Sequence, residues 1–203
     1  MWNRIERIAQ PEAEALTLAE VKEQLRIEAG NDDDKPFLER CIKAAREMVE
    51  GPDGAGISVM SAKWCLKLDG FPAEIRIPLG PVLSIEAIEY LDGTGSSQTL
   101  NPSDFQWRAD RYQAFISPAY GKSWPATRQQ YDAVKVEFLA GFPGTGAEPI
   151  DRTMIPESLR AAMLMLIAHW DANRETSVVG EVPADMPFGF EAIMNKFRVG
   201  RIA

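Results

Sequence analysis

The sequence predicts an α+β protein, a helical bundle built from its N- and C-terminal segments with an antiparallel β-lobe inserted between them. Three observations predict it. Apolar residues recur at helical spacing up to residue 49 and again from residue 159. Across residues 58–140 the period shortens to two, as where Trp64, Leu66 and Leu68 alternate with Lys63, Cys65 and Lys67. No helical stretch separates the short strand-like segments of that middle region, so tight turns join them and the sheet is antiparallel. The division reads as a helical body over residues 1–57 and 141–203 and a β-lobe over residues 58–140.

The first helix is announced by Thr17-Leu18-Ala19-Glu20, a capping box in which the Thr17 hydroxyl accepts from the Glu20 amide and the Glu20 carboxylate reaches back. Leu18, Val21 and Leu25 mark its inner face, and Gly30-Asn31 is the expected stop. Asp32, Asp33 and Asp34 ahead of Pro36 place negative charge and a proline at the start of a second helix. Phe37, Leu38, Cys41, Ile42, Ala45, Met48 and Val49 give that helix a broad apolar stripe, which ends near Gly51-Pro52. Strand-like segments follow at residues 75–77, 85–91, 99–100, 105–108 and 112–117, and again where Val134, Val136 and Phe138 alternate with Lys135 and Glu137. Asp92-Gly93-Thr94-Gly95, Asn101-Pro102 and Ala109-Asp110-Arg111 supply turns. Pro156 opens a third helix whose apolar set is Leu159, Ala162, Met163, Leu166, Ile167 and Trp170. Leu164 and Met165 point the other way, so this central helix must be covered on more than one side. A Gly- and Pro-punctuated linker at residues 177–187 leads to a last short helix carrying Phe188, Phe190, Ile193, Met194 and Phe197, and then to Arg198 and Arg201 with no further acid.

The bulk properties exclude several classes. Of 203 residues, 45% are hydrophobic and 26% charged, the balance of a folded globular chain and not of a disordered one. The most apolar run, residues 161–168, is far short of the ~20 residues a bilayer span requires. Arg4, Glu6 and Arg7 interrupt Trp2, Ile5 and Ile8, so the N-terminus has no secretory apolar region and an unprocessed cytoplasmic product is expected. Cys41 and Cys65 lack any CxxC or Cys/His spacing and read as buried, reduced thiols. A net charge of −8 argues against a surface that grips nucleic acid, although an acidic wall suits a conduit through which DNA slides without sticking.

The motifs for chemistry fail one by one. Gly121-Lys122-Ser123 resembles the end of a phosphate-binding loop, but Ile116 stands where the first glycine belongs and Trp124-Pro125 follows where a helix should begin. Gly51, Gly54 and Gly56, like Gly141, Gly144 and Gly146, reverse the dinucleotide spacing and read as turns. Counted from Asp32, the sixth and twelfth positions of a calcium loop are Phe37 and Lys43, so the acidic run caps a helix instead. His169 is the sole histidine and ends an apolar helix beside Trp170, which favours a packed or interface role over a catalytic base. Phe105, Trp107, Tyr112, Phe115, Tyr120 and Trp124 are dense enough for a ligand platform, yet at strand spacing they read as sandwich core. The expectation is a protein with no catalytic residues, no cofactor and no metal.

Four stretches together carry a family likeness: Leu16-Thr17-Leu18-Ala19-Glu20-Val21-Lys22-Glu23-Gln24-Leu25-Arg26; Ile42 to Glu50, containing Ala44-Ala45-Arg46-Glu47; Ser123-Trp124-Pro125-Ala126; and Ile155-Pro156-Glu157-Ser158-Leu159-Arg160 leading to Ala168-His169-Trp170 and Asn173-Arg174-Glu175. In their order and spacing the chain resembles the head-tail connector, or adaptor, proteins of tailed bacteriophages and gene transfer agents, in the longer form with an inserted β-region. That resemblance implies a structural virion protein. It implies a homo-oligomeric ring of twelve subunits in the neck, docked beneath the portal protein, offering a platform to a stopper or tail-completion protein and letting DNA through non-specifically. It also makes the C-terminal segment the candidate contact with the portal, through Phe188, Phe190, Met194, Phe197, Arg198 and Arg201, and gives Leu164, Met165, His169 and Trp170 as candidates for contact between subunits. Ordering of that segment on the portal would leave residues 177–187 protease-sensitive in the free protein. Alternatives are another neck component, a carboxylate-based hydrolase or carbohydrate-binding module using Trp107 or Trp124, and a DNA-binding regulator, the last disfavoured because the helices carry few basic residues.

Overall fold

The computed structural model describes residues 4–51, 54–146, 148–174 and 188–198. In chain order these form strand β1 (Ile5–Ala9), helices α1 (Leu18–Gln24) and α2 (Lys35–Val49), strands β2 (Ala62–Leu68), β3 (Ile75–Ile77), β4 (Val82–Leu91), β5 (Ser97–Thr99), β6 (Phe105–Ala109), β7 (Ala114–Pro118) and β8 (Val134–Ala140), and helices α3 (Glu157–Ala172) and α4 (Phe188–Phe197). Helices and antiparallel sheets coexist, so the α+β class stands.

The strands make a five-stranded sheet in the order β1-β2-β8-β4-β5 and a three-stranded sheet in the order β3-β7-β6. The alternation in the sequence decides which side chains meet. Trp64, Leu66 and Leu68 lie opposite Phe138, Val136 and Val134, all on one buried face. Ile75, Ile77, Ala114 and Ile116 of the smaller sheet join the same apolar cluster, so the inward faces of both sheets share one core. The other face of the larger sheet carries Lys63, Lys67, Lys135 and Glu137. Gly141 sits at φ +150°, and a Cβ there would lie 2.4 Å from the Ser61 backbone nitrogen. The chain leaves β8 against backbone, where no larger residue fits.

A second core holds the helices together. It gathers Val21 from α1, Leu38, Ile42, Ala45 and Val49 from α2, Leu159, Met163, Leu166 and Ile167 from α3, and Phe190, Met194 and Phe197 from α4. Ile57, Val59, Met60 and Phe142 extend it to the foot of the sheet. The capping box of α1 forms as the sequence implies, with Thr17 Oγ1 accepting from the Glu20 amide at 3.2 Å and Glu20 Oε2 accepting from the Thr17 amide at 2.7 Å.

Two elements differ from the sequence reading. Helix α1 stops at Gln24, well before Gly30, because the Ile27 amide donates to Lys22 O at 2.9 Å and the Arg26 amide to Glu23 O at 3.1 Å. This is a Schellman closure with Arg26 at φ +58° in the place glycine usually takes, so the stop carried no glycine to reveal it. Strand β1 lies in the stretch assigned to the helical body, yet it pairs antiparallel with β2. Only Ile5 of its five residues is buried, so it shows no alternating pattern.

Strand β1 also enters a buried ion network that ties the sheet to the helices. Glu50 closes α2 with its side chain fully buried. Its Oε1 accepts from the amides of Val59 and Met60 at 2.8 and 3.0 Å, and its Oε2 from Arg46 Nη1 at 2.6 Å and Arg7 Nη2 at 2.8 Å. Arg46 Nε also donates to Glu14 at 2.7 Å, and the Arg7 guanidinium lies 4.8 Å above the Trp64 ring. Burial alone would weaken the Arg46 charge, but the Glu14 and Glu50 carboxylates more than offset it and hold the guanidinium above its ordinary pKa.

Candidate assembly interface

Helix α3 is the axis of the helical part, covered by α2 and α4 and, over a shorter length, by α1. Leu159, Ala162, Met163, Leu166 and Ile167 recur every three or four residues and fill the core. Ion pairs hold its ends. Arg160 bridges to Glu20 of α1 and, at 2.9 Å, to Glu157. Beyond the other end, Arg174 grips both oxygens of Asp34 at 2.8 and 3.1 Å, donates to Asp171 at 2.5 Å and lies 4.2 Å above the Phe37 ring. The hydrogen bonds that Arg174 donates hold the Asp34 carboxyl below its usual range, and the acceptance of those bonds by Asp34 and Asp171 raises the Arg174 guanidinium in turn.

The four residues expected to face another subunit are placed differently from one another. Met165 is exposed. Leu164 and Trp170 are half-buried because each leans on the helical core of its own chain. His169 is half-buried, with its backbone carbonyl accepting from the side-chain and main-chain nitrogens of Asn173 at 2.8 and 3.1 Å. Gly189 lets α4 pass close to Met165, since a Cβ there would stand only 3.2 Å from the Met165 sulfur. Phe188, one residue earlier, is 86% exposed, so Met165 and Phe188 lie at neighbouring points on the outside of the α3–α4 pair.

The C-terminal candidates also divide. Phe190, Met194 and Phe197 recur at helical spacing along α4 and are buried in the helical core. In this arrangement they are intramolecular anchors, and α4 caps its own bundle. Phe188 and Arg198 point outward, and Arg201 lies outside the described residues, as do residues 177–187 with the expected protease-sensitive linker. Sequence spacing alone could not separate Phe188 from its neighbours, because all three phenylalanines are equally apolar.

One contact that sequence reasoning missed joins α4 to the β-part. The turn between β6 and β7 carries Arg111, whose guanidinium lies 5.6 Å from the Tyr112 ring and 5.3 Å from the Phe197 ring. Asp110 shapes that turn by accepting from the amides of Tyr112 and Gln113 at 2.7 and 2.9 Å. Desolvation pushes the Asp110 carboxyl upward, but these hydrogen bonds outweigh it and the group ends below its usual range.

The remaining candidates find structural places. Both cysteines are free and buried. Burial pushes both thiols up. Trp124 stacks on Phe71 at 4.7 Å and, with Phe105, packs against the β-core, whereas Trp107 is 39% exposed and Tyr120 wholly so. A groove of about 300 Å³ on the larger sheet is lined by Lys67, Lys135, Glu89, Tyr131 and Asp132, a mixture of both signs in which lysines stand among the carboxylates. Among the described residues no group of His, Cys, Asp and Glu has metal-binding geometry, and no helix is long and apolar enough to cross a membrane.

No protein-family model matches the sequence, and no curated protein matches it. Three solved structures are similar in fold over 98% of this chain and 97% of theirs. They are described as the neck of an empty GTA particle computed with C6 symmetry (TM-score 0.76, 21% identity), the virion of a native gene transfer agent (GTA) particle (0.71, 21%) and the neck of a native GTA particle computed with C12 symmetry (0.66, 20%).

Proposed function

We propose that this chain is a structural, non-enzymatic protein of the neck of a tailed-phage or gene-transfer-agent particle, acting there as a head-tail connector. The observation that carries the reading is the likeness to neck chains of gene transfer agent particles over nearly the full length of both partners, helices and β-part together. Three of the four sequence stretches that resemble connector proteins lie on the elements that build the helical core, α1, the second half of α2 and the whole of α3, while Ser123-Trp124-Pro125-Ala126 lies in the connection from β7 to β8, where Trp124 packs against the β-core. In this role the protein works as a ring, of twelve copies by the family resemblance, seated beneath the portal and followed by a stopper or tail-completion protein. DNA passes without being read, which agrees with the net charge of −8. Assembly takes place in the host cytoplasm and the finished ring belongs to the virion neck.

The exposed Phe188 and Arg198 at the two ends of α4 are the described residues proposed to meet the portal, and Met165 the one proposed to meet a neighbouring subunit. The test is negative-stain microscopy of the protein alone and mixed with its cognate portal. Rings stacked on portal are the expected result. Protein that ignores portal but joins a preformed connector would instead make the chain a stopper or tail-completion protein, and protein that joins neither would end the neck reading.

A further inference from the structure

Strand β1 is held at the edge of its sheet by the ladder and by charge, and hardly at all by apolar contact. Only Ile5 of its five residues is buried, and Ile8 is 45% exposed. Arg4 lies between Asp69 and Asp132, Glu6 pairs with Lys67, and Arg7 donates to Glu50 while its guanidinium lies over the Trp64 ring. The edge of β2 away from β8 supplies the ladder, from Ile5 opposite Leu66 to Ala9 opposite Lys63. All of these partners belong to the rest of the chain. The β2 edge with Glu50, Lys67, Asp69 and Asp132 is therefore a socket for an extended segment carrying arginines three residues apart. Its innermost charge, the Glu50 carboxylate, is wholly buried, so an empty socket is costly.

The connection from β1 back to its own body is loosely made. Ala15 and Leu16 are buried in the helical core, and Glu14 pairs with Arg46, the arginine that also holds Glu50. Arg7 and Glu14 thus reach one network, and the chain bends at Glu12 and Ala13 to join them. Among the described residues no backbone hydrogen bond pins that bend, for none is made by residues 11–15. Pro11 has no N–H to offer and biases Gln10 before it towards extended backbone. Straightening the bend therefore breaks no backbone hydrogen bond, and the contacts that residues 4–9 leave on their own body exist, identical, on a second copy. Extended, residues 10–15 span at most ~20 Å, which reaches the β2 edge of an adjoining copy and no further.

We propose that in the assembled ring residues 4–9 of each copy occupy the socket of the next copy, adding β1 to the neighbour's larger sheet. The inference rests on the ring reading and gives that ring its polarity and a reason to close. Arm and socket are different surfaces of one chain, so the contact is heterologous. An open arc of exchanged copies leaves one buried Glu50 without Arg7 and one arm without a sheet, whereas a closed ring leaves neither. Within a ring the neighbour's socket stands at a fixed distance, so the exchange is effectively intramolecular.

The test is a disulfide across the β1–β2 ladder in the full-length protein. Glu6 stands opposite the native Cys65, and facing residues of an antiparallel pair lie about 4.5–5.5 Å apart between Cα atoms, within disulfide reach. Glu6→Cys alters an exposed side chain. Rings assembled on portal are oxidised and run on a denaturing gel without reductant. A ladder of covalent multimers is expected, whereas dilute unassembled protein should close the bond within one chain. Glu6→Cys combined with Cys65→Ala should give no species above a dimer. Rings that contain only the intramolecular bond overturn the exchange while leaving the ring reading intact. Rings in which the introduced thiol stays reduced overturn it equally, and point to another protein's strand in the socket. A wild-type protein that forms no ring, alone or on portal, removes both readings. A second pair of variants reads the contact without a disulfide. Arg4→Glu reverses the arm; Asp69→Arg with Asp132→Asn reverses the socket, asparagine being suited to the φ of +57° at residue 132. Circular dichroism establishes that both fold. Each alone should form fewer rings on portal than wild type, and an equimolar mixture should restore them, because alternating copies match every arm to a socket of opposite charge. Variants that form rings as wild type does, or a mixture that restores nothing, overturn the assignment.

Discussion

Glu50 is where a single substitution should separate the two halves of the molecule. Glu50→Gln keeps an oxygen for the Val59 and Met60 amides, which lie 2.8 and 3.0 Å from Oε1, but replaces the carboxylate charge facing Arg46 and Arg7 with an amide. Arg46 is only 2% exposed, so it cannot recover solvent and is left with Glu14 as its close carboxylate. Breaking a buried pair by removing one partner costs about 3–5 kcal/mol. For a chain of this size each kcal/mol moves the midpoint by about 2–4 °C, so Tm should fall by about 6–20 °C. Glu50→Leu also leaves two buried amides without an acceptor, at about 1–3 kcal/mol each, and should unfold the protein at ambient temperature. Glu47→Gln is the control, because Glu47 is exposed and only 3.9 Å from Arg46, and it should stay within about 0.5 kcal/mol of wild type. Urea and thermal denaturation followed by circular dichroism read all three. A Glu50→Gln protein within about 1 kcal/mol of wild type would mean that apolar packing alone holds β1 and the 58–60 loop to α2, and the argument from the ion network would fall.

Three further outcomes are expected. Phe190→Ala should cost about 3–5 kcal/mol in urea denaturation, whereas Phe188→Ala should stay within about 0.5 kcal/mol yet weaken capture by immobilised portal; the reverse order would mean that α4 faces outward. Arg111→Ala removes the cation from between Tyr112 and Phe197, a loss of about 0.5–2 kcal/mol, and should speed hydrogen exchange of the α4 amides more than those of α2. Hydrogen bonds from Thr94 and Gln98 hold the Asp92 carboxyl at about 2 in the folded chain, against an ordinary value of 3.8. Its folded pKa is depressed, so its stabilising contribution is complete above pH 3.8 and is lost as the pH falls towards 2. The stability difference between wild type and Asp92→Asn should therefore be constant above pH 3.8 and close below it, and an NMR titration midpoint for Asp92 near its ordinary value would refute the assignment.

What could be read in advance follows from which signals are local. The capping box of α1, the stripe of α2 and the alternation of β2 and β8 each depend on neighbours a few residues away, and all of them formed. Strand β1 did not announce itself, because its pairing with β2 spans some sixty residues and only Ile5 turns inward. The early stop of α1 was hidden for a different reason: Arg26 adopts the left-handed conformation without a glycine to signal it. The apolar set of α4 was visible as a pattern, but a helix with one apolar stripe looks the same whether the stripe meets its own bundle or a partner. Only the placement of α3 beneath it decided for Phe190, Met194 and Phe197. The row of Arg76, Phe115 and Arg108 across the smaller sheet was invisible for a related reason, since Arg76 and Arg108 are far apart in sequence and are brought to either side of Phe115 only by the pairing of β3 and β6 with β7.

The buried network around Glu50 raises the question of why charges stand where an apolar plug would serve. Replacing a buried ion pair with well-packed hydrophobic residues is often neutral or stabilising, so stability by itself does not require Arg46 and Glu50. What the network supplies is direction. Each of its hydrogen bonds is angularly restrictive, and together they fix β1, the last turn of α2 and the 58–60 loop to one carboxylate. Arg111 does the same on another side, fixing the β6–β7 turn to the end of α4. A subunit that must meet its neighbours at a fixed angle gains from such linkages, because that angle sets whether successive copies close on themselves. On that argument, Glu50→Gln protein that still folds should form rings of mixed size or open arcs, and uniform rings from a folded variant would show that the angle is held by packing alone.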